Sequence, residues 1–497
     1  MTAEHSAAFD ALIVGAGFGG IGAAIQLKRL KIENFVILDR EDDLGGTWHV
    51  NHYPGLAVDV PTTTYSYFFE PNPNWSRLFS TGAEIKQYAG DVADKYDVRR
   101  HIRYNTVVES ARWDEDAKLW RVTLAGGETL STRYLITATG FLSQPKVPDI
   151  AGIDDFAGKV IHTTDWDDNY RADGKRVAII GTGATAVQLI PVLAKSAAEL
   201  TVYQRTAIWV VPKIDIRFSE RAKRLFARVP LAQRAIRAVT DTIYEAMIST
   251  AVIRHRTFRR LNIAAADLAK MHRFASIRDK ELRDRLTPDY DFGCKRPTFS
   301  NGYYRAFTKP NVHLQSEGID HVQADGIVNS DGTKTEIDTL VLATGFDLWE
   351  ANFPAIEVIG RQGRNLGKWW RDTRFQAYQG VSMPYFPNFL SLASPYAFLG
   401  LNFFNTMEYQ MRLMDRLFTE VKRRGATTFE VTEEANARYL DRMTELLGDS
   451  LWTIGNCATS RSYYYNPSGE PSLLRPTSTK EAVREASDFP FSDYQIS

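Results

Sequence analysis

Two stretches of this chain share one grammar: an apolar strand, a glycine-rich turn, then a helix. Asp10 to Val14 runs into Gly15-Ala16-Gly17-Phe18-Gly19-Gly20 and the helical pattern Ile21 to Leu30. Arg176 to Ile180 runs into Gly181-Thr182-Gly183-Ala184-Thr185-Ala186, and the helix Val187 to Lys195 comes next. In such a unit the first glycine permits a tight turn and the second lets backbone approach a diphosphate. A small third residue lets the helix close on the strand. The diphosphate then rests on the helix N-terminus, where free N–H groups and the helix dipole favour negative charge. Two such units predict an α/β protein with two dinucleotide sites.

The residue that ends the second strand of each unit assigns its nucleotide. The strand Asn34 to Leu38 ends in Asp39, a carboxylate suited to the hydroxyls of an unphosphorylated ribose, so FAD is expected at Gly15, Gly17, Gly20 and Asp39. The strand Leu200 to Gln204 ends instead in Arg205-Thr206. A cation there suits a 2′-phosphate, which points to NADPH, although Arg205 could also be an ordinary surface residue. Each unit also has a later strand that ends in the same small-residue turn: Tyr134 to Thr137 enters Ala138-Thr139-Gly140, and Ile337 to Leu342 enters Ala343-Thr344-Gly345. The second unit therefore lies inside the first. Between them, Glu84 to Tyr96 reads as a helix. Arg103 to Val108, Leu119 to Leu124 and Thr129 to Ser131 read as strands of a meander, and Ser143 to Asp149 as a linker.

Three further motifs narrow the chemistry. Gly45-Gly46-Thr47-Trp48, Tyr53-Pro54-Gly55 and Asp59 come after the first unit. Phe156, Gly158, His162, Trp166 and Asp167 stand between the two units, spaced Phe-x-Gly-x-x-x-His-x-x-x-Trp-Asp. Lys295-Arg296-Pro297 comes after the second unit's helical insertion. Over nearly its whole length the chain resembles the type I Baeyer–Villiger monooxygenases, which carry both fingerprints and the Lys-Arg pair.

The resemblance implies two nested Rossmann-like domains with an inserted helical subdomain. The expected boundaries are 1–148 and 346–497 for FAD, 149–213 and 291–345 for NADPH, and 214–290 for the insertion. It implies that Arg296 is catalytic, that Asp59 faces it beside the flavin, and that Lys295 contacts the NADPH phosphate. Thr47, Trp48 and Tyr65 join the cofactor-binding residues on the flavin side; Gly181 to Ala186, Arg205 and Thr206 join them on the nicotinamide side. The reaction implied takes a ketone to an ester or lactone through a 4a-peroxyflavin, with sulfides as further substrates. His162 is expected to govern domain movement, with Phe156 and Trp166 filling core. Ser462-Tyr463 falls where many relatives have Ser-Trp, which changes the pocket or simply joins Tyr464 and Tyr465 in packing. The alternatives are an N- or S-oxygenating flavin monooxygenase and a flavoprotein that senses redox state without turnover.

Composition sets the remaining bounds. Lys and Arg number 60, as do Asp and Glu, so no global field invites nucleic acid. Residues 217–285 are the exception, with 17 cations against 7 anions. They read as helices packed on the nucleotide domain with a solvated basic face, or as a peripheral anchor to anionic lipid. Met1 to His5 shows no secretory signal, and no apolar run is long enough to span a bilayer. Cys294 and Cys457 are isolated in sequence, so reduced thiols in the cytoplasm are expected, and disulfide exchange is not. His49 and His52 lack companions at metal-site spacing, and no metal is expected. The expected partners are O₂ and a small ketone or sulfide, with the chain acting as a monomer or homodimer.

Overall fold

The computed structural model describes residues 7–400 and 402–497. Met1 to His5, where no leader is expected, lie outside them. The strand Phe9–Val14 sits inside an eight-stranded sheet, its last four residues buried. It pairs in parallel with Phe35–Leu38 and with Thr129–Thr137, placing Ala11 opposite both Phe35 and Tyr134. The helix Phe18–Arg29 covers this strand, with every residue from Phe18 to Leu27 buried. Antiparallel strands Val108–Asp114 and Leu119–Leu124 extend the sheet beyond Thr129–Thr137. Two short strands from much later in the chain complete it: Glu357–Ile359 joins Val108–Asp114, and Phe389–Ser391 joins Thr129–Thr137.

Two local expectations change. Arg103 to Val108 is not one strand: Ile102–Arg103 pairs with Phe35–Leu38, and a new strand begins at Val108. Asn105 turns the chain between them at φ 51°, a conformation that asparagine tolerates better than most residues. Thr129 to Ser131 and Tyr134 to Thr137 are parts of one strand, Thr129–Thr137, because Thr132 and Arg133 keep the extended backbone across a polar interruption.

The second sheet is wholly parallel, in the order Val312–Gln315, Glu199–Tyr203, Arg176–Ile180, Thr339–Leu342, Lys159–His162. It lies within the first unit in chain order. The chain crosses between the two units twice, and the crossings are laced together. Lys146 N–H donates to the Gly345 carbonyl at 2.9 Å, and Asp347 N–H to the Gln144 carbonyl at 2.8 Å.

The insertion is helical, as its sequence implies: Glu220–Arg228, Pro230–Glu245, a π-helical stretch Ala246–Ile253, His255–Ser276 and Lys280–Arg285. Ser219 caps the first by accepting from Ala222 N–H, and Pro230 stands in the first turn of the second, where its missing N–H costs nothing. The long helix Phe403–Arg424 begins at an Asn402 cap and ends at left-handed Gly425. Among the described residues no helix is long and apolar enough to cross a membrane.

The cysteine expectation fails. Cys294 and Cys457 form a disulfide across 163 residues, their Cα atoms 5.2 Å apart. Sequence distance misled because folding returns the C-terminal part of the chain to the loop before Lys295. Leu451, Trp209 and Phe292 enclose the pair, and Cys294 is wholly buried. A substrate disulfide has no approach to it.

Candidate active site

Each glycine turn is held in the same way. Gly15 and Gly181 take φ of 107° and 117°, a region that only glycine enters freely. A side chain on either would strike a carbonyl, Ala138 O in the first unit and Ala343 O in the second. The two Ala-Thr-Gly turns are thus the floors on which the two glycine loops rest. Gly17 instead faces the backbone of Gly46. Gly183 has nothing within 4 Å of where a side chain would begin, so its backbone face is open.

The acid and base at the two strand ends are both in place. Asp39 is buried beside the first loop, where Oδ2 accepts from Ala16 N–H at 2.5 Å and Oδ1 from Glu41 N–H at 2.9 Å. Burial raises its pKa, against the pull of those two N–H donors. In the second unit Thr182 ties its loop to the strand end by donating from Oγ1 to the Thr206 carbonyl at 2.8 Å. Arg205 stands beside Lys295. Burial, followed by Arg205, depresses the Lys295 ammonium, and burial, followed by Arg461, depresses Arg205. Three cations therefore converge there. Arg461 had no signal in the sequence: it occupies a left-handed position after a 3-10 turn, remote in sequence from both partners.

The Gly46 to Asp59 segment connects the units. Thr47 opens a short helix, and Trp48 Nε1 donates to the Tyr65 hydroxyl at 3.0 Å. Tyr53 then reaches the second unit's helix, donating to Gln188 Oε1 at 3.1 Å, while Gly55 packs on the Gln188 carbonyl. Gln188 answers with a 2.8 Å bond to the Ala57 carbonyl. The Tyr-Pro-Gly motif is therefore a clasp between domains, and it delivers Asp59 to the cleft between them.

There Asp59 meets Arg296. Nε and Nη2 of the guanidinium each donate to one carboxylate oxygen at 2.8 Å, a two-point fork. Arg296 Nη1 also lies 3.4 Å from the Gly400 carbonyl. Burial alone would raise the Asp59 carboxyl, but the charge and hydrogen bonds of Arg296 hold it below the usual carboxylate range. Arg296 is pushed up, with its own desolvation outweighed by Asp59. Half-buried Tyr463 and buried Tyr464 lie within electrostatic reach of Arg296. A recess lined by Val60, Thr64, Tyr244, Leu399 and Asn402 opens beside this pair.

The fingerprint between the units touches none of this. Lys159–His162 is the edge strand of the second sheet. Phe156 fills the core beneath that sheet, and Gly158 fits against the Phe156 ring and the Asp338 carbonyl with no room for a side chain. Trp166 is buried edge-on to Tyr170, and Asp167 pairs with Lys159. His162 Nδ1 lies 2.7 Å from Thr164 Oγ1; burial lowers its pKa, and the Lys146 backbone, part of the crossing between units, opposes that shift.

Two nested dinucleotide-binding units with a half-buried arginine–carboxylate fork in the cleft between them define an oxidoreductase of the two-dinucleotide-binding class. The pyridine nucleotide-disulphide oxidoreductase family model matches residues 12–257. A Baeyer–Villiger monooxygenase of Streptomyces coelicolor is 37% identical across 99% of this chain and 94% of its own. One from Pseudomonas aeruginosa is 36% identical across 93% and 87%. Among solved structures, an oxidised steroid monooxygenase bound to NADP superposes with a TM-score of 0.87 at 28% identity, covering 98% of this chain and 99% of that one. A closed form of cyclohexanone monooxygenase gives 0.86 at 28%, covering 99% of each. The chain belongs to the Baeyer–Villiger monooxygenase family.

Proposed function

We propose that this chain converts a ketone to an ester or lactone, using FAD, NADPH and O₂, with Arg296 as its catalytic residue and Asp59 beside it. The observation that carries this reading is the Asp59–Arg296 fork in the cleft between the two units. The residues fit the cofactors on chemical grounds. Buried Asp39, at the end of its strand and beside the loop N–H groups, suits a ribose hydroxyl. Arg205 interacts with two further cations, Lys295 and Arg461, a combination that suits a phosphate dianion. Bound FAD, reduced by NADPH, supplies the activation of dioxygen.

This chain's own contribution is electrostatic. Arg296 stays cationic in a desolvated cleft and presents its donors in a rigid plane, so it stabilises negative charge that develops on oxygen during attack on the carbonyl. Asp59 fixes that plane by gripping two nitrogens, leaving the Nη1 side directed toward the Gly400 carbonyl. The rings of Tyr463 and Tyr464 pack together at the same cleft and narrow the access of water to it. Lys295, one residue before Arg296, couples phosphate binding to the position of the catalytic guanidinium.

The test measures NADPH oxidation, hydrogen peroxide and ester together. Arg296→Ala should keep FAD and flavin reduction, while ester formation falls roughly 10²–10³-fold or more. The electrons should leave as peroxide. Asp59→Ala should show a milder loss, because the charge remains while its orientation is lost. Arg296→Lys should rescue poorly, since a point charge lacks the planar fork. Wild-type coupling in Arg296→Ala would remove this residue from the mechanism and favour an N- or S-oxygenating enzyme.

A further inference from the structure

The helix Pro230–Glu245 is built inside out. A helix on a globular surface ordinarily turns its apolar stripe inward and its charges to water. Here the polar side chains face the protein. Gln233 is buried and donates to the Asn72 carbonyl at 2.5 Å; Arg237 donates to the Ser66 carbonyl at 2.8 Å; Glu245 accepts from Thr479 N–H at 2.5 Å. Asp241 and Tyr244 line the recess beside Asp59. The solvent side carries Leu231, Ile236, Val239 and Ile243 beside two alanines, Thr242 and Arg234; Leu231 is 72% exposed, Val239 60% and Ile243 54%. From Leu231 to Ala246, Arg234 is the only charged residue among those exposed. Single exposed aliphatic residues need no explanation, but a continuous face of them marks an interaction surface.

The surroundings say which surface it meets. The preceding helix, Glu220–Arg228, packs against this one and exposes Leu225 with Arg221, Arg224 and Arg228. The whole insertion carries 17 cations against 7 anions within a chain of balanced charge. The remainder is therefore acidic by the same margin. An anionic surface attracts the insertion and repels the body, which fixes the orientation of approach. Aliphatic residues flanked by arginines suit a bilayer, where the former enter the acyl boundary and the latter meet lipid phosphates. A nucleic acid would match the arginines and leave the aliphatic face unsatisfied.

We propose that the outer face of the Pro230–Glu245 helix docks on an anionic lipid surface. Its inner face forms one wall of the recess at Asp59, so a ketone dissolved in the bilayer has only the thickness of this helix to pass. The docking itself requires no turnover; a failed vesicle experiment would leave the oxygenation reading standing.

The experiment is co-sedimentation of the FAD-loaded protein with vesicles of phosphatidylcholine, with and without phosphatidylglycerol. Wild type should pellet with the anionic vesicles and far less with the neutral ones. Val239→Glu combined with Ile243→Glu should weaken that binding roughly ten-fold or more, since it places charge where aliphatic groups enter lipid. Arg224→Glu with Arg228→Glu should weaken it through charge alone. Val239→Ser with Ile243→Ser keeps the test open if the glutamates disturb folding, and should lose several-fold. All variants should retain turnover of a water-soluble ketone in the absence of vesicles. The proposal is overturned if wild type stays in the supernatant with anionic vesicles, or if the aliphatic variants pellet as wild type does. It is also overturned if sedimentation velocity shows a self-associated species that Val239→Glu dissolves, because the face then belongs to a second copy.

Discussion

Arg205 stands close enough to Lys295 to add its own repulsion to the burial that already depresses the lysine ammonium. Like charges gathered without a carboxylate are unfavourable until an anion joins them. The anion proposed for them is the 2′-phosphate of NADPH.

Removing one such contact costs on the order of 1.5–3 kcal/mol. Arg205→Ala should therefore raise KM for NADPH about ten-fold or more and change NADH kinetics little. Arg461→Ala should move the same ratio in the same direction by a smaller factor. Steady-state kinetics with both donors decides the matter: equal effects on NADPH and NADH would separate Arg205 from the phosphate.

A second expectation concerns pH. Burial, opposed by Arg237 and aided by Glu408 and Glu245, raises Asp241 from 3.8 to about 6. A carboxyl whose folded pKa exceeds its unfolded one is harmless at low pH, where both states hold the proton. Stability then falls as pH rises from ~4 to ~6, because the unfolded chain releases its proton first, and the loss is complete above that window. Asp241→Asn should match wild type near pH ~4 and exceed it at pH ~7–8 by about 1–2 kcal/mol. Denaturant midpoints across that range measure the difference, and an Asn variant weaker than wild type at pH ~8 would mean that the Arg237 pair outweighs burial.

The disulfide makes a third. It ties the loop before Lys295-Arg296 to the segment that carries Tyr463. A native crosslink of this kind typically contributes about 2–4 kcal/mol. Reduction of the bridge should lower the thermal midpoint by about 2–4 °C and increase peroxide leakage. The Cys294→Ser, Cys457→Ser double variant should behave like the reduced protein and ignore dithiothreitol. A double variant whose midpoint equals that of wild type would show that the bridge does not stabilise the fold.

What the sequence disclosed was local. Gly15, Gly17, Asp39 and the matching residues of the second unit announce themselves because strand, turn and helix are consecutive, and their geometry depends on neighbours a few residues away. The helices Phe403–Arg424 and Glu433–Leu447 are local in the same sense, each marked by an amphipathic period. Asp59 and Arg296 were legible only by resemblance, since nothing local links residues so far apart. The fork between them, the convergence of Arg461 on Arg205 and the Cys294–Cys457 bridge are tertiary facts with no periodic trace. The orientation of the Pro230–Glu245 helix is tertiary too, since only Ser66 and the recess behind Arg237 and Asp241 show which face turns inward.

The nesting of one unit inside the other sets the order in which the molecule can be finished during synthesis. All five strands of the inner sheet have been made once Leu342 has emerged. The outer sheet must wait for Glu357–Ile359 and Phe389–Ser391 to pair with strands made hundreds of residues earlier, and for Phe403–Arg424 to pack against Phe18–Arg29. The unit whose first strand is made earliest is thus the last to close. Until Ser391 has emerged, the partner edges of Val108–Asp114 and Thr129–Thr137 stand open to mispairing, and the helix Phe18–Arg29 stays uncovered until Arg424 follows.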